Sequence, residues 1–335
     1  MTQLTLHSIG PGVTLQDLGR PGWTAQGLST GGAADRLAIL EAAAILNAPI
    51  QAGLEMMGYG GVFSVDSDMR IALTGAEMQA SIDATPVPQN TSLLLRAGQK
   101  LTIGGAKQGV YGYLSFAGGI DTAQIMGSRA AHLTAGIGGL LQAGTTVPLG
   151  KDTDPLAPPM RLTVAERFAG GTVRVMPGPQ TDFFDPAMLT RFAATTFTRS
   201  PRGNRQGMRL DYDDAPFGLS GGRNITSDLI VPGDIQMTGD GVPYVLLAEC
   251  QTIGGYPRIG SVLPADLPII AQAGPGVKLQ FAFVTVQQAD ATAVSDKTTL
   301  AALRTQTAPI TRDPHDIADL LSYQLISGVT AGNDL

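Results

Sequence analysis

The chain has 335 residues, a formal net charge of −6, and 43% hydrophobic against only 15% charged residues. This balance lacks the clustered Lys and Arg that nucleic acid or an anionic membrane surface requires, and its apolar content excludes a disordered chain. The single cysteine, Cys250, excludes an intrachain disulfide and a CxxC metal site.

The length predicts two domains. Forty-three Gly and 22 Pro fit short strands joined by tight turns, so the expected fold is mainly β with a few helices. The opening MTQLTLHSIGPG has no basic segment leading into an apolar run, and no stretch reaches the length of a membrane span; a cytoplasmic, soluble protein is expected.

In chain order, the first strong element is a helix over 35–46, rich in Ala, Leu and Ile and closed by Asn47 and Pro49. Short extended runs follow at 61–65, 70–74, 92–95 and 100–103, with turns at 66–68, 86–88 and 104–105. A core strand is expected at 110–116, ending at Gly118-Gly119. The charged, Pro-rich stretch 151–159 reads as a linker, which divides the chain into an N-terminal domain (1–155), a C-terminal domain (156–290) and a helical tail (291–335). The second half opens with a strand at 172–176, then a helix with Asp185 as N-cap, Pro186 at its first position, and apolar Met188, Leu189 and Phe192. Strands are expected at 244–248 and 278–284. A tail helix is expected to start at Asp313-Pro314, with a stripe of Ile317, Leu320, Leu321 and Leu325 ended by Gly328.

Most catalytic signatures are missing. There is no GxxxxGK[ST] phosphate loop and no biotin-attachment Ala-Met-Lys-Met segment, and His7, His132 and His315 have no metal-ligand spacing, so no metal site is expected. Gly27-Leu28-Ser29-Thr30-Gly31 matches GxSxG, but the preceding Arg20-Pro21-Gly22-Trp23-Thr24 is a turn where a nucleophile elbow needs a buried strand. It reads as a loop feeding the first helix.

Two segments hold candidate binding residues. Gln16, Asp17, Arg20 and Asp35 gather an amide, two carboxylates and a guanidinium in glycine-rich loops. They form either a carboxylate-binding and proton-transfer set or an Asp–Arg structural latch. The second segment carries Arg205 and Arg209, four apart, then Gln236, and Gln251, Thr252, Gly254, Gly255 and Tyr256. Neutral hydrogen-bonding groups around a glycine pair suit recognition of an amide, ureido or carboxylate group. No catalytic residue is assigned.

These segments carry a family resemblance. QDLGRPG (16–22), GGAAD (31–35), GLE (53–55), LTGA (73–76), YLSFAGGID (113–121) and MGSRAAH (126–132) resemble the N-terminal half of the allophanate hydrolase subunit 2, or biotin-dependent carboxyltransferase, family. VMPGPQ (175–180), NRQGMRL (204–210), SDLIVPGDIQ (227–236) and the run from Leu246 to Gly276 resemble its C-terminal half. The resemblance implies two tandem cyclophilin-like β-barrel domains. It implies a role as the C subunit of an ATP-dependent 5-oxoprolinase, which opens pyroglutamate to glutamate together with a subunit-1-type partner protein and a LamB/YcsF-type partner protein. ATP would then be used by the complex, with no cofactor bound covalently. Two alternatives come with the family. One is the carboxyltransferase component of a biotin-dependent urea or amide carboxylase, with biotin delivered on a separate carrier. The other is a non-enzymatic regulator that binds a kinase-inhibitor-like partner. The chain departs from the family pattern at Glu249-Cys250, where Asp is usual, at Gln206, where Met is usual, and at 139–142, which lacks the usual Arg.

Overall fold

The computed structural model describes residues 2–218 and 226–310. The expected tail helix after Asp313 lies outside the described residues.

The first unit is a nine-stranded antiparallel sheet. Its path runs Val13–Gln16, Gly53–Met57, Leu101–Phe116, Tyr59–Val65, Thr2–Ile9 and Thr146–Leu149, and the long strand Met69–Ile82 lies against Leu101–Phe116. Leu4, Leu6, Leu54, Phe63, Ile71, Leu101, Ile103 and Leu114 point from these strands into one core, each fully buried. The expected turn at Gly104-Gly105 does not occur. Leu101–Phe116 runs straight through it as one 16-residue strand, with Gly105 paired to Tyr59. Glycine without a side chain can continue a strand where its backbone bonds are met, and the register slips three times beside it where the pairing bulges.

Helix α1 (Arg36–Ile45) packs on this sheet. Asp35 caps it, its Oδ1 accepting from the Ala38 amide at 3.2 Å, and Ala38 through Ile45 are all buried. Asn47, at φ 48°, turns the chain out of the helix.

The second unit is a closed seven-stranded barrel, ordered Gly171–Met176, Arg258–Val262, Asp234–Met237, Pro243–Leu246, Gly207–Asp211, Phe197–Gly203 and Lys278–Phe283. The parallel pairing of Gly171–Val175 with Leu279–Phe283 closes it. Helix α2 (Pro186–Ala194) has the expected Asp185 cap and inserts Phe192 into the barrel core. Its ring stacks on Phe281 at 5.2 Å and meets Phe217 edge-on at 5.4 Å. Helix α3 (Leu267–Gln272) is set against the first unit. Gln272, fully buried, accepts from the amides of Val110 and Tyr111 and donates to the Tyr111 carbonyl and Asp35, so every bond of its side-chain amide is made across the seam.

After the short helix α4 (Val286–Asp290), the chain returns to the first unit. Helix α5 (Asp296–Thr305) packs Leu300 on Ala43 and Ala44 of α1, and Thr307–Pro309 pairs with Met160–Leu162. The segment expected as a linker is tethered at its start. Asp152 is buried and accepts from Arg70 Nε and Nη2, each at 2.8 Å, while Arg70 Nη1 donates to the Leu46 carbonyl at the end of α1. Burial alone would push the Asp152 carboxyl up. The Arg70 guanidinium and the Asp154 amide outweigh it and hold Asp152 below the ordinary carboxylate value. Stability from this pair is therefore full above about pH 4 and lost as pH falls through the lowered folded value. Asp152→Asn should lower the melting temperature at pH 7 and flatten the acid limb of a plot of melting temperature against pH; an unchanged acid limb would count against the pair.

Candidate functional site

The seam between the two units is built from charged side chains that the fold removes from water. The hairpin joining Phe197–Gly203 to Gly207–Asp211 reaches across the seam, and its turn carries Arg205. Arg205 Nε donates to Glu249 Oε1 at 2.5 Å, Nη2 to the Gly32 carbonyl at 2.5 Å, and Nη1 to Glu55. Glu55 also accepts from Tyr113 Oη at 2.7 Å and from the Ala34 amide at 2.8 Å. Glu249 accepts from the Thr134 amide at 3.1 Å. Both carboxylates are 1% exposed. Burial works to lower the Arg205 value, but Glu55 and Glu249 outweigh it and hold the guanidinium more firmly charged than usual. Burial beside Glu55 pushes the Tyr113 hydroxyl well up, so it stays a neutral donor.

Of the first candidate segment, each residue has a definite place. Gln16 is fully buried and ties Thr14 to the Ala131 carbonyl. Asp17 is a loop tie: its oxygens accept from the Gly19 amide at 2.7 Å, Ser128 Oγ at 2.6 Å and the Arg129 amide at 2.7 Å. Asp35 caps α1 and accepts from Arg167 Nε and Gln272 Nε2, each at 2.8 Å. Arg20 is 1% exposed. It donates to the carbonyls of Ala130 and Ile125 and makes no hydrogen bond to Asp17. Burial lowers its value from the ordinary one, against the pull of Asp17 and Glu249.

The second segment divides. Arg205 lies in the seam. Arg209 is on the outer wall of the barrel, where Met208 and Leu210 on either side of it point inward, and its Nε donates to Asp211 at 2.8 Å. Gln236 and Thr252 are buried, Gln251 and Gly255 are exposed, and Tyr256 is about half exposed at 49%. Gly254 approaches so closely that an added Cβ would lie 2.5 Å from Gln236 Nε2. Arg258 anchors this region by donating to the Leu229 carbonyl at 2.6 Å and to Asp234 at 3.2 Å.

The seam also holds a pair that local spacing does not reveal. Ser29 Oγ lies 2.9 Å from His132 Nε2, both side chains being buried. His132 Nδ1 accepts from the Ala135 amide at 3.3 Å, and Glu249 Oε2 stands 3.9 Å away. The Ala135 amide at Nδ1 favours the tautomer with its proton on Nε2, facing Ser29 Oγ. Burial lowers the His132 value, with Arg20 and Arg205 adding to it against Glu249, which keeps the ring neutral. No strand leads into Ser29, since the residues before it form turns and the single 3-10 turn Thr24–Gln26, so GxSxG here lacks the strand of a hydrolase elbow. Among the described residues no group of three or more His, Cys, Asp or Glu could hold a metal ion, and no helix is long and apolar enough to cross a membrane.

A family model described as carboxyltransferase domain, subdomain A and B, matches residues 26–283. The C subunit of 5-oxoprolinase from Escherichia coli (strain K12) is 34% identical over 295 residues, 85% of this chain and 93% of that protein. Its counterpart of the same name from Haemophilus influenzae is 32% identical over 281 residues, 82% of this chain and 89% of that protein. The crystal structure of the K. lactis urea amidolyase shares the fold, with a TM-score of 0.80 at 21% identity, over 93% of this chain and 21% of that one. The family match spans residues 26–283, well over half of the chain, and on that ground the chain belongs to the carboxyltransferase domain, subdomain A and B, family.

Proposed function

We propose that this chain is the C-type component of an ATP-dependent 5-oxoprolinase, acting with a subunit-1-type partner and a LamB/YcsF-type partner to open pyroglutamate to glutamate in the cytoplasm. The observation that carries this reading is the coverage: the match takes in 93% of the E. coli protein, so the likeness extends over nearly its full length. The seam suits the substrate. Pyroglutamate presents a carboxylate and a lactam amide, and Arg20 supplies a charged donor and Ser29 an uncharged hydroxyl. ATP is assigned to the complex, since the sequence has no phosphate loop. The experiment measures ATP hydrolysis and glutamate release from pyroglutamate with this chain alone and then with both partners added. Glutamate and phosphate should appear together, and only in the full mixture. Silence in a mixture shown to assemble would sink the proposal.

The likeness in fold to a urea amidolyase supports a second reading, carboxyl transfer from a biotin carried on another protein to urea or a related amide. Its mark would be bicarbonate-dependent ATP use that avidin abolishes and pyroglutamate does not stimulate.

A further inference from the structure

The pairing of Met69–Ile82 with Leu101–Phe116 is regular at both ends and irregular in the middle. Glu77 pairs with Gln108 and Met78 with Ala106, so Lys107 between them faces no residue of the opposite strand. Further slips flank it, between Gly75 and Glu77 and between Met78 and Ala80. Bulges of this kind re-aim the side chain they carry and are over-represented beside active sites. Here Lys107 Nζ comes to 3.9 Å from Glu77 Oε1, with the two side chains 56% and 47% exposed. An exposed pair at this distance contributes little to stability, so the fold loses little if a ligand parts it.

Both side chains line a cavity of about 780 Å³, an ordinary size for a small-molecule site. Buried Met78 alternates with exposed Glu77 and Gln79, so the outward face of the strand forms its floor. Thr102 and Gly104, on either side of buried Ile103, continue that face from the neighbouring strand. Gly104 keeps the floor low, and an added Cβ there would meet nothing nearer than Gln79 Cβ at 3.6 Å. Gln89 and Asn90 also line the cavity. Gln89 commits Nε2 to the Met78 carbonyl at 2.9 Å and leaves Oε1 without a donor among the described residues, and Asn90 Oδ1 is likewise unmet. The fold therefore does not saturate either amide.

Glu77 and Lys107 are the only charged residues among the described ones that line the cavity. A single ammonium is too little charge for a nucleoside polyphosphate. One anion and one cation side by side instead match a ligand that carries an ammonium and a carboxylate on the same carbon. We propose that this cavity binds a zwitterionic α-amino acid, its ammonium on Glu77, its carboxylate on Lys107 and a polar side chain over Gln79, Asn90 and Thr102. On the function proposed above that amino acid is glutamate, the product of the reaction; the site itself stands without that reading. Pyroglutamate, whose nitrogen is a lactam amide, has no ammonium for Glu77, so the site tells product from substrate.

The test is calorimetric titration of the full chain with L-glutamate and, separately, with L-glutamine. At least one should bind saturably, and 2-oxoglutarate, which lacks the ammonium, should not displace it. Glu77→Gln and Lys107→Met should each weaken binding roughly tenfold, the scale of one lost charge-assisted hydrogen bond. Both positions are exposed, so these chains should melt like the parent. Gly104→Trp should abolish binding by filling the cavity, since the open space above Gly104 takes the new side chain without a backbone clash. The proposal is overturned if neither amino acid binds, if 2-oxoglutarate displaces the one that does, or if the three variants bind like the parent. Binding of glutamine alone, lost in the variants, would uphold the site and remove glutamate as its ligand. Binding of glutamate that the variants lose, with no turnover of pyroglutamate by an assembled complex, would uphold the site and overturn the oxoprolinase reading.

Discussion

Replacing Arg205 with methionine is expected to cost about 3–5 kcal/mol of unfolding free energy, the scale of a broken buried ion pair, and to lower the melting temperature by on the order of 10 °C. Arg205 is the only cation that hydrogen-bonds Glu55 or Glu249 among the described residues, and it contacts both. With it gone, Glu55 keeps Tyr113 and the Ala34 amide, and Glu249 keeps Thr134. Neutral donors of this kind do not replace a charge in a place where each carboxylate is 1% exposed. The loss also separates the hairpin tip from the Gly32 carbonyl, so the seam should loosen and tryptic cleavage between the units should quicken. The cause can be isolated by adding Glu55→Gln and Glu249→Gln to the Arg205→Met chain. If stranded charge is the cost, the triple variant recovers most of the lost stability; if lost packing is the cost, it recovers none. A single variant that melts like the parent would show that the seam does not depend on this ion pair.

What the sequence made legible follows from how local each signal is. Helices α1 and α2 start at aspartates that cap them, and α2 has proline at its first turn, so both could be read from a few adjacent residues. The strand through Gly104-Gly105 could not, because whether a glycine pair turns or continues depends on a partner strand, and Gly105 pairs with the distant Tyr59. The return of α5 onto α1 is equally non-local. At the site, the four-residue spacing of Arg205 and Arg209 puts them on one face only within one regular element. Arg205 is in a turn and Arg209 in the following strand, so the two face different surroundings. The Asp17–Arg20 latch fails for a related reason: Asp17 bonds its own loop and Arg20 points away to the Ala130 carbonyl. Ser29 and His132 are 103 residues apart and no pattern links them. A usable signal for the ion pairs did exist. Glu41 is the one charge within the apolar run 37–46, and Glu55 stands alone in the strand GLEMM. A lone acid in an otherwise apolar element announces a buried cation to match it.

Glu41 and its cation lead to the second large effect, in which Arg167→Met should cost more stability at high pH than at low pH. Arg167 lies in the segment joining the two units and is 4% exposed. It donates Nη1 and Nη2 to the two oxygens of Glu41 at 2.8 and 2.7 Å, and Nε to Asp35 at 2.8 Å. Burial works to lower the Arg167 value, but Asp35 and Glu41 outweigh it, so the proton of the cluster stays on Arg167. Burial pushes Glu41 up, and Arg167 is what pulls it back. Without Arg167, Asp35 still has Gln272 and the Ala38 amide, whereas Glu41 has no other hydrogen-bond donor among the described side chains. Glu41 then folds more readily protonated, and its folded value rises further above the unfolded value of about 4.3. A group raised in this way stabilises fully below its unfolded value, and that stability is lost as pH rises through the folded one. The deficit of the variant against the parent should therefore be about 3–5 kcal/mol at pH 8 and clearly smaller at pH 5. Adding Glu41→Gln should remove the pH dependence of that deficit and recover part of it. Urea unfolding of the three chains at the two pH values measures all of this, and an equal deficit at pH 5 and pH 8 would mean that Glu41 does not take up the proton that the loss of Arg167 leaves it to bind.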